Sequence, residues 1–231
     1  MNKDILERTY KAFFFTSILY LFIGLHIHFP IASLLKPLPI FCLMFLAEHS
    51  SLSLSKRKLI WLALLFSASG DIVLSLKAQN TLEFGLFCFL LAHITYIILF
   101  NRFLSQWYLR KDFFFIFILT VFLVSGLVFF ILSPYLGQMK IPVALYMLVI
   151  NLMAISALRH NPISASGAIL FMFSDALIAF NEFMFKNHEY SFWIMLSYYL
   201  AQFFLITGFI KNQQDKKSAS IAINSACNKP H

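Results

Sequence analysis

An all-α bundle of about eight membrane-spanning helices is the fold class the sequence predicts, and three observations predict it. Hydrophobic residues make up 60% of the chain, which leaves too little polar material to cover a soluble surface. Charged residues make up 12%, about half the roughly 25% of an ordinary soluble domain. The apolar residues also fall in separate runs of about 17–22 residues, each able to cross a hydrocarbon core of about 30 Å as a helix.

Taken in order, the first run is 13–29, preceded by Lys3, Arg8 and Lys11. A basic start before an apolar run also describes a signal peptide. This run closes on His26-Ile27-His28-Phe29-Pro30, without a small-residue cleavage pattern, and is expected to stay as a helix. The second run, 34–47, is short and opens at Lys36-Pro37. The third and fourth cover 59–76 and 82–103, the fifth 113–132, the sixth 141–158, the seventh 163–180 and the eighth 192–210. Residues 1–210 therefore read as one integral membrane domain. Residues 211–231 are polar and rich in Lys, Asn and Ser, and a disordered cytoplasmic tail is expected there.

Orientation follows from the basic residues. Lys3, Arg8, Lys11, Lys56, Arg57, Lys58, Arg102, Arg110, Lys111, Arg159, Lys211, Lys216, Lys217 and Lys229 fall on one side of such a bundle. Lys36, Lys77, Lys140 and Lys186 fall on the other. The bias places both termini in the cytoplasm by the positive-inside rule, and a bacterial inner membrane is the expected location. The net charge of +8 is accounted for by this bias and by contact with anionic lipid headgroups, so no nucleic-acid partner is expected. The three cysteines show no disulfide or zinc spacing.

The chain also reads as two four-helix halves in the same orientation, as in parallel transporter repeats. Lys36 and Lys140 are 104 residues apart, and so are Asp71 and Asp175. Leu91-Ala92-His93 corresponds to Leu200-Ala201-Gln202 at an offset of 109, which an insertion around 185–189 explains.

Within these runs two acids stand out, Asp71 in Ser69-Gly70-Asp71 and Asp175 in Phe173-Ser174-Asp175. A carboxylate near the bilayer centre costs roughly 2.5–3.5 kcal/mol on insertion scales, and intramembrane acids mark functional sites. Ser67, Asp71 and Ser75 share a helix face by four-residue spacing, and Tyr198 and Gln202 share another. Asp175 and Glu182 lie two turns apart on one face. Glu83 starts the fourth helix, with His93 and Tyr96 further along it. Lys140, Tyr146 and Asn151 belong to the sixth. With both termini inside, these groups concentrate in the outer half of the bundle and converge on one cavity. Each also has a structural alternative: an isolated Asp or His can bond a neighbouring helix, the tyrosines can be packing anchors, and Lys36 and Lys140 can snorkel. Zinc needs three or four His, Cys or carboxylate ligands. His93 is the one mid-membrane histidine and no HxxxH spacing is present, so no metal or other cofactor is expected.

The ordered series Lys36-Pro37, Gly70-Asp71, Phe84-Gly85-Leu86 and Ala92-His93-Ile94-Thr95-Tyr96 resembles the YhhN family of lysoplasmalogenase-like membrane proteins. So does the later series Pro142-Val143-Ala144-Leu145-Tyr146, Gly167-Ala168, Phe173-Ser174-Asp175 and Tyr198-Tyr199-Leu200-Ala201-Gln202. The likeness covers roughly 34–208. It implies an eight-helix protein that hydrolyses the vinyl-ether bond of lysoplasmalogens to a fatty aldehyde and a glycerophospho head group, with a role for the paired aspartates.

Such hydrolysis begins with protonation of the vinyl β-carbon and passes through an oxocarbenium-like cation that water captures. One carboxylic acid held neutral in an apolar site would deliver the proton. A second carboxylate would stabilise the cation and deprotonate the water, as in glycosidases. On this reading Asp71 and Asp175 are the catalytic pair, with His93 and Tyr198 positioning. Lys36 and Lys140 lie near the phosphate, and Tyr146, Glu83 and Gln202 complete the substrate-binding set. The partners are then a lysophospholipid, water and membrane lipid; the sequence leaves the oligomeric state open. A transporter or other lipid-handling protein is the alternative suggested by the two halves, although apart from Gly70 the runs lack mid-span breaks. A scaffold would have no need of acids in the apolar region.

Overall fold

The computed structural model describes residues 3–27, 30–76, 80–103, 111–186 and 190–227. His28, Lys77, Arg110 and Lys229, which enter the sequence argument, lie outside these residues, as does 187–189 of the expected insertion. The helices are α1 (Lys3–Phe22), α2 (Ile31–Leu35), α3 (Leu38–Glu48), α4 (Leu54–Ser75), α5 (Thr81–Arg102), α6 (Lys111–Leu132), α7 (Lys140–His160), α8 (Pro162–Ala179) and α9 (Ser191–Cys227). A π-helical turn, Phe180–Phe185, extends α8. Helix is what lipid demands of an open chain, because every backbone N–H and C=O must find its partner within the segment.

Seven helical stretches among the described residues are long and apolar enough to cross a membrane. Their outward faces are lined with large apolar side chains: Phe130 is 77% exposed and Leu119 68%. Surfaces of this kind are stable only against lipid. The protein is a multi-pass integral membrane protein with an all-α bundle fold.

Two elements differ from the sequence reading. The first helix begins at Lys3 and ends at Phe22, earlier than the expected 13–29. Glu7, Arg8 and Lys11 therefore occupy its first half, and it joins the bundle through α3 and α9. Where a disordered tail is expected from 211, α9 instead stays helical to Cys227. Propagating a helix already nucleated in the membrane adds one hydrogen bond per residue fixed. Gln213 is also buried, accepting from Lys56 Nζ at 2.7 Å and donating to the Phe103 carbonyl at 3.3 Å.

The most extensive helix pairings, α8 with α9 and α4 with α5, are the equivalent hairpins of the two sequence halves. Close approach of α8 and α9 depends on glycine. A Cβ at Gly167 would lie 2.7 Å from the Leu205 nitrogen, and one at Gly208 would lie 2.8 Å from the Ser164 nitrogen. Small residues of this kind let membrane helices pack backbone to backbone. Around the break between α2 and α3, Pro37 and Pro39 remove two amide donors, and Tyr199 donates to the Lys36 carbonyl at 2.8 Å. That break sets Lys36 beside Asp71, near the end of α4.

Candidate active site

Asp71 lies one turn before the end of α4 and is 2% exposed. A carboxylate so placed needs partners. Tyr198 of α9 donates to its Oδ2 at 2.8 Å, and Lys36 Nζ stands 3.6 Å from its Oδ1. Tyr198 reaches it from α9 and Lys36 from the break between α2 and α3, so the position of Asp71 is set by three parts of the chain.

Asp175 lies near the end of α8 with 11% of its side chain exposed. Tyr146 of α7 donates to Asp175 Oδ2 at 2.6 Å. His93 Nε2 of α5 stands 3.2 Å from the same oxygen and 2.9 Å from the Tyr146 hydroxyl. His93 is fully buried, packed edge-on against Phe171, and its Nδ1 has no partner. All its polar contacts therefore run through Nε2 to the Tyr146–Asp175 pair.

Beneath Asp71, one turn deeper, is a polar floor. Tyr96 of α5 donates to Gln202 Oε1 at 2.5 Å, and Gln202 Nε2 donates to Ser67 Oγ at 2.9 Å. All three are fully buried. The floor locks α4, α5 and α9, the helices that carry Asp71, His93 and Tyr198. Such a network is stable only when every member is satisfied.

Two cavities meet at this constellation. The larger, about 490 Å³, is almost wholly apolar and runs among α5, α6, α7 and α8, past Val128, Leu132 and Ile150. The smaller, about 200 Å³, is the more polar of the two, with Lys36, Asp71, Asp175, Asn181 and Glu182 among apolar residues in its walls. Asp175 lines both, with Phe89 and Leu74 on the shared wall. An apolar channel and a polar chamber joined at a carboxyl group suit an amphiphile whose bond to be attacked lies between its chain and its head.

The structure thus gathers Asp71, Asp175, His93, Tyr146, Tyr198 and Lys36. Gln202 sits behind the cavity in the floor. Glu83 and Lys140 are exposed on the bundle surface and line neither cavity. Each stands within the first three residues of its helix, where the chain has only begun to enter the bundle. The sequence reading does not single out Asn181, although helical spacing offers it: it lies seven residues beyond Ser174 and three beyond Ile178, on the face of α8 that borders the smaller cavity. Among the described residues no group of three His, Cys, Asp or Glu is placed to hold a metal ion.

Fold and site together define a polytopic membrane protein with two carboxylates facing an amphiphile-shaped internal cavity. The chain belongs to the YhhN family, whose sequence model matches residues 31–209. That range contains every residue of the constellation and leaves out α1 and the polar end of α9. The chain is 30% identical over 200 residues to the lysoplasmalogenase TMEM86A of Homo sapiens, covering 80% of each chain. It has the same identity and coverage with the lysoplasmalogenase TMEM86A of Bos taurus. No solved structure matches the chain.

Proposed function

We propose that the protein is a hydrolase that cleaves the vinyl-ether bond of lysoplasmalogens, releasing a fatty aldehyde and a glycerophospho head group. The observation that carries the reading is the place of Asp175, at the junction of the apolar and polar cavities with Asp71 facing the polar side. The alkenyl chain occupies the larger cavity and the glycerophosphate the smaller. The vinyl-ether carbons then lie beside Asp175. The two relatives named lysoplasmalogenases support the same substrate class.

In the proposed reaction Asp175 is the general acid. Its hydrogen bonds converge on Oδ2, which makes Oδ1 the oxygen to carry the transferable proton. That proton goes to the vinyl β-carbon, the double-bond electrons form the new C–H bond, and the ether oxygen shares the resulting positive charge. Asp71, with Tyr198 and Lys36 on its two oxygens, faces that charge as a carboxylate and takes a proton from the incoming water. The hemiacetal then collapses, breaking the bond from carbon to the glycerol oxygen, and the proton balance is restored through the two acids. Net, one water is added across the ether. Lys36, at the polar cavity, is placed to meet the phosphate. Both termini are taken to lie in the cytoplasm, which puts the polar chamber in the outer leaflet of a bacterial inner membrane.

The test is aldehyde release from alkenyl-lysophospholipids by purified protein beside Asp71→Asn and Asp175→Asn. Each replacement is expected to lower kcat at least about a hundredfold, the lower range for general acid–base catalysis. Folded parent protein that releases no aldehyde, or turnover close to the parent's in both variants, ends the proposal. Transport of the intact lipid would then be the next activity to measure.

A further inference from the structure

The polar cavity contains one group that neither the two acids nor the lysine explains. Asn181 is 4% exposed, lines the cavity, and has its Oδ1 without a hydrogen-bond partner. A buried amide oxygen left unpaired is costly, and one carried by a side chain that lines a cavity can be satisfied by a donor on a ligand. It is held there by local structure. Asn181 sits in the π-helical turn, and its carbonyl accepts from the Lys186 N–H at 2.7 Å, where Lys186 closes the turn with φ 52°. Short π segments of this kind recur at functional sites.

Its neighbour Glu182 lines the same cavity from an exposed position. With Asp175 protonated as the general acid, the described walls present two carboxylates, Asp71 and Glu182, against a single cation, Lys36, which already stands beside Asp71. The charge left over on the walls is negative. A cavity with that balance favours a ligand that carries positive charge of its own. Position agrees. Six residues separate Asp175 from Asn181, an axial rise of about 9 Å, which is the reach of a whole head group rather than of the glycerol hydroxyl beside the ether.

On the reading of this cavity as a lysoplasmalogen site, we propose that Asn181 and Glu182 form a head-group subsite that selects a primary ammonium, as in ethanolamine phosphate, over the quaternary ammonium of choline. A primary ammonium offers N–H donors to the Asn181 oxygen and the Glu182 carboxylate. A trimethylated nitrogen offers none and is held instead on aromatic faces. The rings nearest the acids are otherwise engaged, since Phe89 meets Tyr198 edge to face with centroids 5.8 Å apart.

The experiment has a binding arm and a turnover arm, both with the full chain in lipid nanodiscs. Binding is measured with saturated 1-O-alkyl lysophosphatidylethanolamine and lysophosphatidylcholine, which lack the vinyl bond and cannot be cleaved. Turnover is measured as kcat/KM on the two alkenyl counterparts. The parent is expected to bind the ethanolamine lipid about tenfold more tightly, the worth of one hydrogen bond to a charged group. Asn181→Leu brings that ratio to within about twofold of one. Glu182→Gln lowers it part way and weakens its salt dependence. Asn181→Asp keeps the size and the acceptor and keeps the preference, which separates the subsite from general damage. Equal binding of both lipids by the parent overturns the proposal, as does a ratio unmoved in both Asn181→Leu and Glu182→Gln. Should Asn181→Leu fail to fold, Glu182→Gln and Asn181→Asp decide alone. Preferential binding without aldehyde from either alkenyl lipid overturns the hydrolase reading and leaves the subsite standing.

Discussion

Tyr146→Phe isolates one oxygen atom in the proposed mechanism. The hydroxyl is buried, lies 2.6 Å from Asp175 Oδ2 and 2.9 Å from His93 Nε2, and is the bridge between them. Removing it leaves the ring in place, with its edge-on contact to His93 at 5.3 Å between centroids, so packing is nearly conserved. What is lost is a hydrogen bond to the carboxylate that forms as Asp175 gives up its proton, worth about 1.5–3 kcal/mol. That converts to a fall in kcat of about tenfold to a hundredfold if the bond orients Asp175 during proton transfer. His93 remains 3.2 Å from the same oxygen and can tighten its contact, which favours the lower end of the range. The assay is initial-rate aldehyde release at saturating substrate, with Tyr135→Phe, a half-exposed tyrosine, as the control. A His93→Gln/Tyr146→Phe double variant should lose less than the product of the two single losses, because both partners act on one oxygen. Parent-like kcat in Tyr146→Phe, or strictly additive losses, would refute the view that this pair positions the acid.

Two further expectations test the fold and the chain channel. Val128→Trp places a large ring in the apolar cavity. It should raise KM for long alkenyl chains severalfold while short-chain substrates are spared, as read from a chain-length series. Gly208→Ala sets a Cβ 2.8 Å from the backbone nitrogen of Ser164. Because backbone cannot yield as a side-chain tip can, a loss of about 1–3 kcal/mol is expected, visible as a lower melting temperature in detergent.

Much of the fold could be read without coordinates because lipid imposes a simple rule on sequence. A segment that crosses must be helical, long and apolar, and residues 59–76, 82–103 and 163–180 announce themselves that way. The same rule made Asp71 and Asp175 conspicuous, since a charge in such a run is rare. Spacing also carried information within one helix: Ser67 and Asp71, or Tyr198 and Gln202, share a face whatever surrounds them.

Contact between helices is another matter, because side-chain periodicity fixes which face a residue occupies and not what it meets. That Tyr146 and His93 converge on Asp175, while Tyr198 and Lys36 converge on Asp71, depends on how α5, α7, α8 and α9 pack, down to glycines at 167 and 208. The two lysines 104 residues apart show the limit most clearly. Lys36 follows a proline-broken helix inward to Asp71, and Lys140 stays exposed at the start of α7. Likewise Asn181 shares a helical face with Ser174 and Ile178, but that this face borders the cavity follows from the packing of α8 against its neighbours. The sequence by itself determined the solvent, the helices and the two acids, through local hydropathy and the cost of a buried charge. Only the tertiary structure decided which polar groups share a cavity, because that follows from the packing of surfaces far apart in the chain.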